Sequence, residues 1–396
     1  MEQTWRWFGP DDPVTLTQAR QAGATGIVTA LHHMNQGQVW TSEEILKRKA
    51  EVEAAGLTWS VVESIGVGEE IKTRTGNYRE KIENYKQSIR NVARAGVKTI
   101  CYNFMVITDW SRTNLMYELP NGAYALRFDS VDFAAYDIFV LRRKGAEASY
   151  TPEQREAASA RFASKSDAEI AELERVLIDW LPARDFAYTR ETFRDMLELY
   201  SKISVEDLRA NLIAFLQEIT PVAEEEGARL CIHPDDPSFP IFGLPRVMST
   251  ADDVRALFKG VPQEACGLTI CTGSFGSNLN NDLVAMAREF APRIHFVHLR
   301  NTRHEPDGSF YEADHLDGDT DLIGVAAVMM AEEDRRRSVG RSDTEIPFRP
   351  DHGHLMGDDI GKTMNPGYSF VGRLKGLAEL RGAMQTIEAF RSGKLT

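Results

Sequence analysis

Short strand-favouring runs alternate with helical stretches along almost the whole chain, and this alternation constrains the fold more than any other feature. The runs begin at Thr4, Gly26, Leu57, Val97, Ala228, Gly267, Ile294 and Ile346. Between them lie helical stretches such as residues 41–56, where Thr41 is placed to cap and Glu43 and Glu44 favour the first turn. Residues 76–95 carry Ile82, Tyr85, Ile89 and Val92 at helical spacing, with Gly96 as a stop. Residues 16–22, 204–226, 251–258, 281–290, 321–334 and 372–390 read the same way. Strands joined through helices pair in parallel, and this many units predict a closed (β/α)8 TIM barrel rather than an open sheet. No G-x-G-x-x-G follows the first run, which argues against a dinucleotide-binding sheet.

The rhythm breaks once. Residues 106–203 hold no further barrel strand; 152–180 and 188–200 are rich in Ala, Glu, Arg and Leu, whereas 108–150 reads as an aromatic loop. The expectation is a single barrel domain over residues 1–396. Residues 106–203 would be a largely helical insertion after the fourth strand, serving as a lid or partner surface.

In a barrel the loops after the strands converge on one face, so residues that end consecutive strands meet. The last four runs end in His233, Cys271, His298 and Asp351. Two imidazoles, a thiol and a carboxylate can hold a divalent first-row metal; Cys and His favour zinc or iron(II), while the carboxylate and room for substrate oxygens suit manganese. His352 and His354 flank Gly353 at the same face as supporting or proton-transfer groups. His32 and His33 follow the second strand, and one of them is a further candidate for meeting substrate; Asn103, at the end of the fourth run, is another. Trp40 and Trp110 are placed for contact, while His295 points to the opposite strand face and reads as structural. His304 and His315 read as solvated loop residues, and Gly273 to Ser277 as a flexible turn.

A formal charge of −13 argues against a sequence-independent hold on nucleic acid or anionic membrane, since both need a basic surface. No apolar stretch is long enough for a bilayer, and the start of the chain lacks a secretory pattern. Four cysteines without a close pair are expected to be reduced thiols, which points to the cytoplasm. A symmetric homodimer is the default expectation for assembly.

The chain also carries Trp5-Arg-Trp-Phe-Gly, Asp12-Pro-Val-Thr-Leu, Gly26-Ile-Val-Thr-Ala-Leu, Glu83-Asn-Tyr-Lys-Gln-Ser-Ile-Arg-Asn, Cys101-Tyr-Asn-Phe-Met and Asp109-Trp-Ser-Arg-Thr. Further on come His233-Pro-Asp-Asp-Pro, His298-Leu-Arg-Asn, Arg349-Pro-Asp-His-Gly and Pro366-Gly-Tyr368. In these motifs and their order the chain resembles the mannonate dehydratases, which convert D-mannonate to 2-keto-3-deoxy-D-gluconate and water in hexuronate breakdown. The resemblance implies a metal-dependent barrel, with Mn2+ the usual ion and Fe2+, Co2+ or Zn2+ as alternatives. It implies His233, Cys271, His298 and Asp351 as ligands and acid-base roles for Asp351 and Tyr368; the chemistry of the step adds His352 or His354 as support for that proton traffic. The substrate is a small sugar acid, and gluconate, its epimer, is a second candidate. Arg300 and Arg349 flank the ligands and are the expected partners of the substrate carboxylate. Two rival readings are a metal-dependent sugar isomerase or epimerase on the same barrel, and a binding protein that has lost turnover.

Overall fold

In a computed structural model, which describes residues 1–179 and 188–394, twelve strands form two sheets. They are β1 Glu2–Arg6, β2 Gly26–Thr29, β3 Thr58–Glu63, β4 Thr99–Tyr102, β5 Asn114–Glu118 and β6 Tyr124–Phe128, followed by β7 Arg229–Ile232, β8 Cys266–Cys271, β9 Ile294–His298, β10 Thr302–His304, β11 Phe310–Glu312 and β12 Pro347–Arg349. The barrel closes in the order β1-β12-β9-β8-β7-β4-β3-β2, so the first strand pairs with both the second and the last. All these pairs are parallel, and the alternating pattern of the sequence is realised as a (β/α)8 barrel.

β2, β8 and β9 are buried along their whole length and largely apolar, as strands inside a parallel sheet are. Their inward side chains Val28, Val61, Cys101, Cys231 and Phe296 fill the barrel as a cluster of their own, while the outward ones join the large core beneath the helices. The helices start where the sequence predicts: Thr41 caps Ser42–Ala54 by accepting from Glu44 N, and Ser204 caps Val205–Glu225 through a reciprocal pair with Asp207. The final helix, Phe370–Arg391, closes the barrel wall against β1, with Arg373 stacked over Trp5.

The segment expected to be an aromatic loop holds more order than that. β5 and β6 form a hairpin turned at Asn121-Gly122, where Gly122 takes a positive φ of 79°. Its partners are β10 and β11, which belong to the loop after the seventh barrel strand, giving an antiparallel sheet of order β10-β11-β6-β5. Each of these strands is short, and the pairing of β6 with β11 that joins the two hairpins spans residues far apart in sequence, so the local pattern carried little signal. Helices Pro152–Ser164, Asp167–Glu174 and Arg190–Tyr200 supply the expected helical part; Trp180, the end of the expected first helix, lies outside the described residues. A bridge between Tyr124 and Leu355 ties the hairpin to the loop after β12, over the carboxyl ends of the barrel strands.

Three smaller expectations are corrected. Gly273 to Ser277 is not a flexible turn, because residues Thr272–Gly276 form a buried helical turn directly after β8. His315 is buried rather than solvated, its Nε2 donating to the Pro350 carbonyl at 2.7 Å. His304 lies on β10 and is held by Asp319 at 2.8 Å.

Candidate metal centre and active site

Strand register sets the residues of the site at one level. Cys271 is aligned with His298, His298 with Arg349, and across the barrel Glu63 with Cys101. His233 follows the last residue of β7 and continues its ladder, donating its N–H to the Tyr102 carbonyl at 2.7 Å. One ligand atom each from His233, Cys271 and His298 falls within a sphere where all lie within 4.8 Å of one another.

The three side chains suit a cation. Nδ1 of His233 donates to the Pro234 carbonyl at 2.8 Å, which leaves Nε2 with the free lone pair. Burial disfavours charge on His233, but Cys271, by its charge and by a hydrogen bond, outweighs this with a lesser contribution from Glu63 and lifts the pKa to about 10. A metal ion bound at Nε2 would take the place of that proton. His298 is held in its neutral form, by burial first and then by Arg349, and its Nδ1 is buried with no hydrogen-bond partner. Arg349 Nε donates to His298 Nε2 at 3.0 Å, with Glu63 Oε1 3.5 Å from the same nitrogen, so for Nδ1 to bind a cation the ring proton has to move to Nε2 and Glu63 has to replace Arg349 as its partner.

Asp351 stands beside this cluster rather than within it. Its Oδ2 is 3.6 Å from Cys271 Sγ and 3.9 Å from His298 Nδ1. Burial works against its charge, but Arg349, His352, His298 and Arg300 hold the carboxyl well below the usual range. Its backbone is left-handed, with φ of 62°, an uncommon state for a side chain of this kind and one that recurs at functional sites.

His233 brings the cluster to a cavity that is also lined by Arg6, His32, Glu63, Asn103, Trp110, Asp351, His352 and Tyr368, while Cys271 and His298 are fully buried behind it. Tyr368 is buried and locked from behind: Gly353 bridges to it, and Arg373 donates to its carbonyl at 2.8 Å. The segment after β12 that bridges to it lies against the final helix so closely that a Cβ on Gly353 would strike the backbone of Gly372. Burial pushes the Tyr368 phenol up, with Arg349 opposing and Asp351 and Glu63 adding to the rise. His352 Nε2 lies 3.2 Å from the Tyr368 hydroxyl.

Of the other expected substrate contacts, Asn103 reaches the cavity and donates to Asp109 at 3.4 Å. Arg300 and Arg349 also line it, but both are engaged by buried carboxylates. Arg300 lies over Gly273, where a side chain would block it, and donates to Asp236 at 2.5 Å. Arg349 donates to Glu63 at 2.8 Å and pairs with Asp351. His354 is not among the lining residues; it is turned away, held by the Glu312 carbonyl at 2.8 Å and by Asp314 at 3.3 Å. His32 lines the cavity, whereas His33 is exposed and paired with Glu44. His295 is structural as expected, bonded to the Glu264 carbonyl at 2.9 Å.

Several residues of this site carry no obvious mark in the sequence. Glu63 ends the third strand and could have been found by the same strand-end rule that picked out the ligands. Arg6 on β1 faces the cavity beside His32, with its Nη2 at 3.2 Å from the imidazole Nε2. Arg112, Asp236, Arg300 and Glu312 form a buried ionic network in which Arg112 bridges Asp236 and Glu312 at 2.8 Å each. Glu312 belongs to β11, whose pairing could not be anticipated.

The sequence model of the D-mannonate dehydratase (UxuA) family matches residues 1–394. The chain is 54% identical over 392 residues to a mannonate dehydratase of Saccharophagus degradans, covering 99% of both chains. It is 51% identical over 388 residues to mannonate dehydratase 2 of Agrobacterium fabrum, covering 98% of both. Among solved structures, mannonate dehydratase from Streptococcus suis serotype 2 superposes with a TM-score of 0.77 at 34% identity, over 99% of this chain and 95% of that one. With the family matched from end to end, and the barrel and the His-Cys-His cluster in place, the chain belongs to the D-mannonate dehydratase family.

Proposed function

We propose that this protein removes water from D-mannonate to give 2-keto-3-deoxy-D-gluconate, with Mn2+ held by His233, Cys271, His298 and Asp351. The observation that carries this reading is the His233-Cys271-His298 cluster, which reaches through His233 a cavity also lined by Asp351, His352 and Tyr368. When bound, the metal would supply Lewis acidity toward the substrate's oxygens and stabilise negative charge that builds as the C2 proton leaves.

The chain's own groups handle the protons. The reaction removes a proton from C2 and a hydroxyl from C3, so one group has to take a proton and another has to give one. Asp351, kept ionised by the guanidiniums around it, is an acceptor. Tyr368, whose burial keeps its hydroxyl protonated, is a donor for the departing hydroxyl, with His352 at its back. Arg300 and Arg349 act first on Asp236, Glu63 and Asp351, fixing the carboxylates, and supply positive potential for an anionic substrate. The start of the segment expected as an insertion reaches the active face, where Trp110 lines the cavity and Arg112 pairs with Asp236 and Glu312. Four buried, unpaired cysteines fit a reducing compartment, which supports a cytoplasmic location.

The decisive experiment is a keto-acid assay of the purified protein on D-mannonate and D-gluconate, after chelation and again with Mn2+ restored. Product from D-mannonate that disappears on chelation and returns with Mn2+ is the expected result. Metal uptake with no keto-deoxy product from either acid overturns the proposal and favours an isomerase or epimerase.

A further inference from the structure

The antiparallel sheet contributes a carboxylate to the site from outside the barrel. Both oxygens of Glu312 lie 2.8 Å from Nδ1 of His352, and the other ring nitrogen lies 3.2 Å from the Tyr368 hydroxyl. Carboxylate, imidazole and phenol thus form a line pointing into the cavity. We propose that Glu312 is a positioning residue: it commits Nδ1 of His352 to donating, so that Nε2 is the nitrogen through which a proton passes to and from Tyr368.

One contact competes for Nδ1. Arg300 Nη1 stands 3.3 Å from it and could only donate, which would require a bare Nδ1. Two observations decide for Glu312. Its oxygens are nearer, and a carboxylate facing an N–H makes the stronger, charge-assisted bond. Arg300 Nη1 has other acceptors within reach, Asp351 Oδ2 at 3.3 Å and Glu312 Oε1 at 3.6 Å. Glu312 is itself fixed by Arg112, whose Nη2 donates to it at 2.8 Å, and burial leaves the carboxylate no alternative solvent partner. The consequence is a fixed orientation of the ring, so that the nitrogen facing the phenol is always the same one.

The inference rests on the dehydratase reading for its kinetic arm only. In wild-type protein with 15N-labelled histidine, the signals lost in His352→Gln identify His352; a protonated Nδ1 is expected, and a bare Nδ1 with a protonated Nε2 overturns the proposal whatever the substrate proves to be. In turnover, Glu312→Gln is expected to lower kcat about 10- to 100-fold, the range for partners that orient a catalytic imidazole. KM should stay within about twofold, and bound metal should be unchanged. In a His352→Gln background the same change should cost less than about twofold, because the residue through which Glu312 acts is gone. An equal cost in both backgrounds, or a loss of rate that follows loss of metal, overturns the proposal. Wild-type protein that turns over neither sugar acid counts against the dehydratase reading alone, and the tautomer still decides Glu312.

Discussion

At the scale of single residues, the site divides into groups that hold charge and groups that move protons, and the two should fail differently. The Tyr368 ring is packed between His352, Phe8 and Arg373, so Tyr368→Phe keeps the packing and removes only the hydroxyl. Its expected effect is a fall in kcat of about 100- to 10,000-fold with metal content intact, measured by turnover and elemental analysis on the same preparation. Cys271→Ser replaces a thiol with a far poorer metal donor, and metal and rate should be lost together. A Cys271→Ser protein that works without metal would remove the centre from the mechanism. His233, Cys271 and His298 were legible in the sequence because a strand end fixes both the position and the direction of a side chain. His354 was misleading for the same reason: five residues past the end of β12 the chain has turned, and its ring reaches the Glu312 carbonyl and Asp314 instead of the cavity.

At the scale of elements, the barrel was readable because each strand and helix carries its own pattern, whereas the second sheet is defined only by pairing. β10 and β11 are three residues each, too short to show alternation, and β5 is half exposed. The Asn121-Gly122 turn was the one local signal of the hairpin. Arg112 shows how much depends on this unseen sheet. It is buried between Asp236 on the barrel side and Glu312 on β11, so Arg112→Met leaves two buried carboxylates short of a counter-charge. The expected cost is about 3–5 kcal/mol in urea unfolding. A loss below about 1 kcal/mol would mean that Arg300 alone compensates both acids.

At the scale of the whole molecule, the two ends of the barrel do different work. The amino-terminal end is tied by Asp343, which accepts from Arg341 at 2.7 Å, Arg229 at 2.9 Å and Arg336 at 3.0 Å and so joins β7, the helix Leu322–Ser338 and the approach to β12. Burial would raise the Asp343 carboxyl, but these three guanidiniums hold it at about 2. Because the folded value lies below the unfolded one near 3.9, the stabilisation is complete above about pH 4 and lost as the pH falls through about 2. Asp343→Asn should therefore lower the melting temperature at pH 7, and the gap from wild type should close between pH 4 and pH 2. A gap that stays constant over that interval would assign the effect to packing.

Closure of the barrel also has a consequence in time. Glu2 and Gln3 pair with Pro347 and Phe348, so during synthesis the edge of β1 has to wait until nearly the whole chain has left the ribosome. Until then the nascent barrel is an open, curved sheet with two bare apolar edges, the form most prone to adhere to a neighbour. Asp351, His352 and Tyr368 all lie beyond that last strand. The chain therefore acquires its chemistry only at the moment it loses its edges, and no partly made barrel can be an active one.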